Sequence, residues 1–178
     1  NATPDYRGIL RINAAIEAQL RKVAHTSFLG FANEPASLLA ERLVKMAPVP
    51  MSHAFFCNSG SEANDTVVKM VWYYNNAIGR PKKKKIIGRM RGYHGVTVAA
   101  ASMMGIPINL RDFDLPVSDR FIHTDCPHYY RNALPGESEE AFAARLAANL
   151  EQLILREGPD TVAAFFAEPV MGAGGVIV

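Results

Sequence analysis

Ser59-Gly60-Ser61-Glu62-Ala63-Asn64 lies between two segments of different hydrophobic period, and that change of period decides the fold. Before it, His53 to Cys57 is a short apolar run suited to a buried strand. After it, Ala63, Val67, Met70, Val71, Tyr74 and Ile78 recur at helical spacing. The expected unit is a strand that feeds a helix through this turn. Ser59 with Glu62 has the spacing of a capping box, and Gly60 lets the backbone come close to a ligand. Outward amides, the helix dipole and the Ser61 hydroxyl together suit a phosphate dianion. A serine-rich cap that holds no ligand fits the same residues, so on this motif alone both readings stand.

Further along, two more glycine-bearing motifs follow apolar strands. Arg91-Gly92-Tyr93-His94-Gly95 comes after Ile86-Ile87, and Ala167-Glu168-Pro169-Val170-Met171-Gly172-Ala173-Gly174-Gly175 comes after Val162 to Phe166. Between them, Thr97 to Met104 reads as a short helix and Phe121-Ile122-His123 as a short strand within a loop-rich stretch. Ser138 opens an amphipathic helix with Phe142, Leu146, Leu150 and Leu153 on one face, which stops at Gly158-Pro159. Strands alternating with helices predict an α/β fold with a mainly parallel sheet flanked by helices. Ligands of such sheets bind beyond the carboxyl ends of the strands, where all three motifs fall.

Upstream, Ile9, Ile12, Ile16, Leu20 and Val23 form one helical face, and Ala36 opens a second helix carrying Leu43 and Met46. The connection from His25 to Pro35 contains Phe28-Leu29-Gly30-Phe31, more apolar than a solvated loop, so it is expected to lie against something.

Bulk composition narrows the classes. With 178 residues, 49% hydrophobic and 20% charged, the chain can build a globular core and is not disordered. A net charge of +2 is too small to make nucleic acid or an anionic membrane the main partner, and Lys82 to Lys85 read as solvating a turn that enters a strand. No stretch reaches the roughly 20 apolar residues of a membrane span, and Asn1-Ala2-Thr3-Pro4 has no signal-peptide pattern, so a cytoplasmic protein is expected. Cys57 and Cys126 are the only cysteines, which argues against a disulfide framework. Cys126-Pro127-His128 lacks a second donor cluster, so no metal site is expected.

The three motifs in this order resemble the class III, or omega, aminotransferases, which use pyridoxal 5'-phosphate on the type I fold. The resemblance extends from the helix around Ala14 to the glycine-rich end. It implies that residues 1–178 are part of a large cofactor-binding domain, residues 1–50 being a helical lead-in with a substrate-pocket and interface segment. It also implies that the chain is internal to a longer enzyme.

Site roles follow from the resemblance residue by residue. Ser59, Gly60 and Ser61 would hold the cofactor phosphate, Tyr93 would stack on its ring, and Glu168 would lie beside it. His94 would be either a hydrogen-bond partner on the cofactor side or a structural histidine. Phe28, Leu29 and Phe31 would reach the substrate pocket of a homodimer with a shared active site. No catalytic residue is expected in this chain: the Schiff-base lysine and the aspartate paired with the pyridine nitrogen would lie beyond Val178, and the chain alone should be inactive. The implied reaction moves an amino group from an amine or omega-amino acid to a keto acid, with pyruvate as the expected acceptor. The alternatives are the diaminopelargonate or 4-aminobutyrate branch, or a non-catalytic module that binds a phosphorylated ligand.

Overall fold

The structure, a computed structural model, describes the chain from Tyr6 to Val178; the expectation placed on Asn1 to Pro4 lies outside the described residues. Two compact units divide between Phe55 and Phe56.

The first unit holds α1 (Tyr6–Lys22) and α2 (Glu34–Met46). The second helix begins at Glu34 rather than Ala36 because Asn33 caps it: its side chain accepts from Ala36 N at 3.0 Å and donates to Thr26 Oγ1 at 3.0 Å. Pro35 sits in the first turn, where its missing N–H costs nothing. The apolar stripe of α1 forms as predicted, with Ile9, Ile12, Ile16 and Leu20 exposed.

The second unit runs through α3 (Gly60–Ala77), β1 (Lys85–Arg89), α4 (Val98–Met103), β2 (Phe121–Thr124), α5 (Tyr129–Asn132), α6 (Glu139–Glu157) and β3 (Val162–Phe165). Its sheet has the order β2-β1-β3 and is parallel throughout, Ile86 pairing with Phe121 and Lys85 with Val162. Both central isoleucines, Ile86 and Ile87, are fully buried, as befits a parallel strand covered on two faces. Val68, Ile86, Ala100, Met103 and Phe121 form the core, with Trp72, Ala99 and Phe166 packed against it. Helix α4 reaches the sheet because β1 carries Gly88: a Cβ there would fall 2.2 Å from the Met103 carbonyl oxygen.

Lys82 to Lys85 do more than solvate a turn. Lys83 Nζ donates to the carbonyls of Pro159 and Val162, Lys84 Nζ to Asn76 Oδ1, and Lys85 Nζ to the Glu157 carboxylate at 2.6 Å. The run thus ties the ends of α3 and α6 to the start of the sheet, where cations also complement helix C-termini. Ser138 caps α6 through Ala141 N, and Gly158 ends it at φ +89°.

Two expectations are corrected. Residues 53–57 adopt no regular secondary structure, because an apolar run becomes a strand only where a neighbouring ladder takes up its backbone groups. On α3 the inward stripe is Ser61, Asn64, Asp65, Val68, Trp72 and Asn75, whereas Val67, Met70 and Tyr74 of the predicted face are exposed. Polar residues that bond the following loop took the inner face, a choice that hydrophobic spacing does not register.

Candidate functional site

The first turn of α3 is built as the motif predicts, with one change. Ser59 Oγ accepts from Glu62 N at 3.2 Å, but Glu62 Oε2 reaches back to Asn58, accepting from its N at 2.8 Å and its Nδ2 at 3.1 Å. The amides of Gly60 and Ser61 belong to the turn that has no intrahelical acceptor, and a Cβ built on Gly60 would meet nothing within 4 Å. The space beside Gly60 in this first turn is therefore open. Ser61 Oγ accepts from Val96 N at 3.0 Å, which leaves its own proton for a further acceptor.

Beyond β1, residues 91–96 leave the sheet as a strap. Arg91 takes φ +68°, and its carbonyl lies so near the second glycine loop that a Cβ on Gly174 would approach it to 2.3 Å. Tyr93 N donates to Glu168 Oε1 at 2.7 Å, and Glu168 Oε2 accepts from Gly172 N at 3.1 Å. Arg89 Nη1 donates to the Glu168 carbonyl at 3.1 Å. The carboxylate at the end of the apolar β3 strand is thus held by one bond to each oxygen, which answers the cost of placing it there. Tyr93 remains 39% exposed as a residue, accessible to a ligand.

His94 is 8% exposed, set edge-on to Phe166 with ring centroids 6.1 Å apart, and its Nε2 is a buried atom without a hydrogen-bond partner. Burial lowers its pKa, the nearby Glu168 carboxylate opposes that shift, and His123 adds slightly to it. The ring is therefore neutral near pH 7, in keeping with a hydrogen-bonding or structural role.

The structure therefore brings Ser59, Gly60, Ser61, Tyr93, His94 and Glu168 into one connected region at the carboxyl ends of β1 and β3. Phe28, Leu29 and Phe31 belong to the first unit; Leu29 and Phe31 are well exposed. A cavity of about 410 Å³ also opens near the strand ends, lined by Arg89, Thr124, Asp125, Tyr129, Phe142 and Phe165 among others, but none of the three motifs contributes to it. Sequence reading missed Asn64, whose Nδ2 donates to the His94 carbonyl at 2.6 Å, and Asp65, whose Oδ1 accepts from Thr97 Oγ1 at 2.8 Å and Ala100 N at 3.0 Å. Their spacing from Ser61, three and four residues on, was the available signal.

These residues fit a phosphorylated aromatic cofactor. An open helix N-terminus with a hydroxyl donor suits the phosphate, and an exposed aromatic ring suits the flat face. An oriented carboxylate and an unpaired buried imidazole nitrogen suit polar groups beside it.

Comparison with known proteins agrees. The "Probable gamma-aminobutyrate transaminase 4" of Oryza sativa subsp. japonica is 57% identical over 171 residues, covering 94% of this chain and 35% of that protein. "Gamma aminobutyrate transaminase 1, mitochondrial" of Solanum lycopersicum is 60% identical over 152 residues, 85% of this chain and 29% of that protein. The chain thus spans about a third of the length of these curated relatives. The crystal structure of the omega transaminase from Pseudomonas jessenii in complex with PMP superposes with a TM-score of 0.91 at 60% identity, over 95% of this chain and 37% of that one. The PMP-bound aminotransferase of Vibrio fluvialis gives 0.86 at 50% identity, over 92% and 36%. With the Aminotransferase class-III signature matching residues 10–178, the chain belongs to the class III aminotransferases, a pyridoxal-phosphate-dependent family on the type I fold.

Proposed function

We propose that this chain carries the phosphate- and ring-holding part of the cofactor site in an aminotransferase that moves an amino group from an amine or omega-amino acid to a keto acid, pyruvate among the acceptors. The observation that carries the reading is the strap, joined through Tyr93 N to Glu168 and through Val96 N to Ser61. When bound, pyridoxal phosphate supplies the electron sink for moving an amino group between carbons. The chain's own residues bind and orient. The first turn of α3 neutralises the phosphate through amides, dipole and the Ser61 hydroxyl. Tyr93 offers a face for the ring, and Glu168 holds the Tyr93 backbone at a fixed height. The relatives named for gamma-aminobutyrate support 4-aminobutyrate as a donor, and the omega transaminases among the solved structures support donors with a terminal amine. We place Phe28, Leu29 and Phe31 at the substrate side of a homodimer, with the first unit as its lead-in. The expected cytoplasmic setting gains no support from relatives named mitochondrial or chloroplastic.

The test is Ser61→Ala in the complete protein. Losing a charge-assisted hydrogen bond of about 1.5–3 kcal/mol should raise the cofactor dissociation constant about tenfold or more. Unchanged dissociation would reduce Ser61 to a structural contact of the strap and remove the phosphate reading.

A further inference from the structure

Along one stripe of α3, three side chains in succession bond the strap and the start of α4 that follows it. Ser61 accepts from Val96 N, Asn64 donates to the His94 carbonyl, and Asp65 accepts from Thr97 Oγ1 and Ala100 N. The next residue on the stripe, Val68, is buried in the core, so the helix is fixed below the strap. The fit is close enough to demand glycine: Gly95 has φ +130°, and a Cβ there would fall 2.5 Å from Ser61 Oγ and 2.9 Å from Ser61 Cα. Of these side chains, Asn64 alone gives a proton to the strap, and its partner is the carbonyl one residue beyond Tyr93. The Tyr93 N–H on the other side is held by Glu168. The backbone that carries the aromatic ring is therefore gripped before and after that residue, and the later grip comes from the helix whose first turn faces the phosphate.

We propose that Asn64 is a positioning residue: by holding the His94 carbonyl, it fixes the Tyr93 ring relative to the phosphate cradle, so that phosphate and ring of one ligand are received at a set separation. This rests on the functional reading above and extends it to a residue that acts through the strap backbone. An amide is suited to the task, because a carboxylate of the same shape would set an acceptor against the carbonyl at 2.6 Å, and alanine would leave that carbonyl without its donor.

The experiment uses the complete protein with Asn64→Asp, Asn64→Ala and, as a control, Thr97→Val, which loses a bond at the start of α4, farther from Tyr93. Three quantities are read: the affinity of the cofactor-free protein for inorganic phosphate, the retention of pyridoxal phosphate, and the visible circular dichroism of the bound cofactor, which reports the setting of its ring. Both Asn64 variants should keep phosphate affinity within about twofold, release the cofactor about tenfold faster and lose much of the dichroic band; Thr97→Val should melt lower yet keep the band. An unchanged band and retention in both Asn64 variants would overturn the inference while leaving the cofactor site intact. So would a fall in phosphate affinity in step with retention, which marks general loosening of the helix. A variant that fails to fold is replaced in the reading by the other, and failure of both shows a purely structural role and also overturns it. A parent protein with no dichroic band would remove both the functional reading and this inference.

Discussion

Helix α2, in the unit that ends at Phe55, buries none of its residues, whereas α3 and α4, in the unit that begins at Phe56, bury Val68, Asn75 and Ala100 to Met103. Both regions show apolar residues at helical spacing. The difference is that α4 lies over a sheet whose middle strand carries Gly88, while within the first unit Leu38, Leu39, Leu43 and Met46 remain exposed. An amphipathic pattern therefore states which face is to be covered and leaves open by what. Half-buried polar side chains mark the same contrast: in the second unit Asp65 and Asn64 bond residues remote in sequence, and in the first Asn33 caps its own helix.

The contrast is most exposed to failure in the core. Ile87→Ala, at a fully buried position in the middle strand, should cost about 2–5 kcal/mol. Leu39→Ala, at a residue 48% exposed, should cost no more than about 0.5 kcal/mol in the 178-residue chain. Urea unfolding followed by Trp72 fluorescence reports the first, since Trp72 is the sole tryptophan and packs on that core; far-UV dichroism reports the second. Equal costs would mean that the first unit has a core of its own.

A smaller effect should appear on acidification. Burial holds both His94 and His123 below the usual histidine pKa, although a bond from the His123 ring to the Met103 carbonyl and the charge of Glu168 near His94 act the other way. Groups depressed in the folded state contribute stability that is complete above the unfolded value of about 6.5 and is lost as pH falls through their folded values. The urea midpoint of the second unit should therefore fall between about pH 7.5 and pH 5.5. Glu137, held down to about 2 by its bonds with Arg145 and with Leu134 N, titrates below that window and does not confuse it. The slope should be shallower in His94→Asn; an identical slope would remove His94 from the account.

Ion pairs should show the smallest difference. Lys85 and Glu157 have side chains 21% and 29% exposed, against 78% and 65% for Arg21 and Glu17. Lys85→Met should cost about 1 kcal/mol and Arg21→Met less than about 0.5 kcal/mol by thermal unfolding. A larger loss at Arg21 would show that exposure is the wrong measure of these pairs.

Sequence by itself determined the alternation of elements, the capping residues and the three motifs. Each of these is a local property: Ser59, Ser138 and Gly158 act on residues within one turn, and Ile86-Ile87 state their burial in their own composition. Tertiary structure alone decided three other matters. It left residues 53–57 without a ladder, because strand geometry belongs to a pair. It turned the polar stripe of α3 inward, because the strap and the start of α4 brought hydrogen-bond partners that helical spacing cannot announce. It also joined Glu168 to Tyr93, 75 residues apart, because parallel pairing of β1 and β3 places the ends of both strands side by side. Bonds of that kind follow from the path of the chain in space, which no local pattern of residues contains.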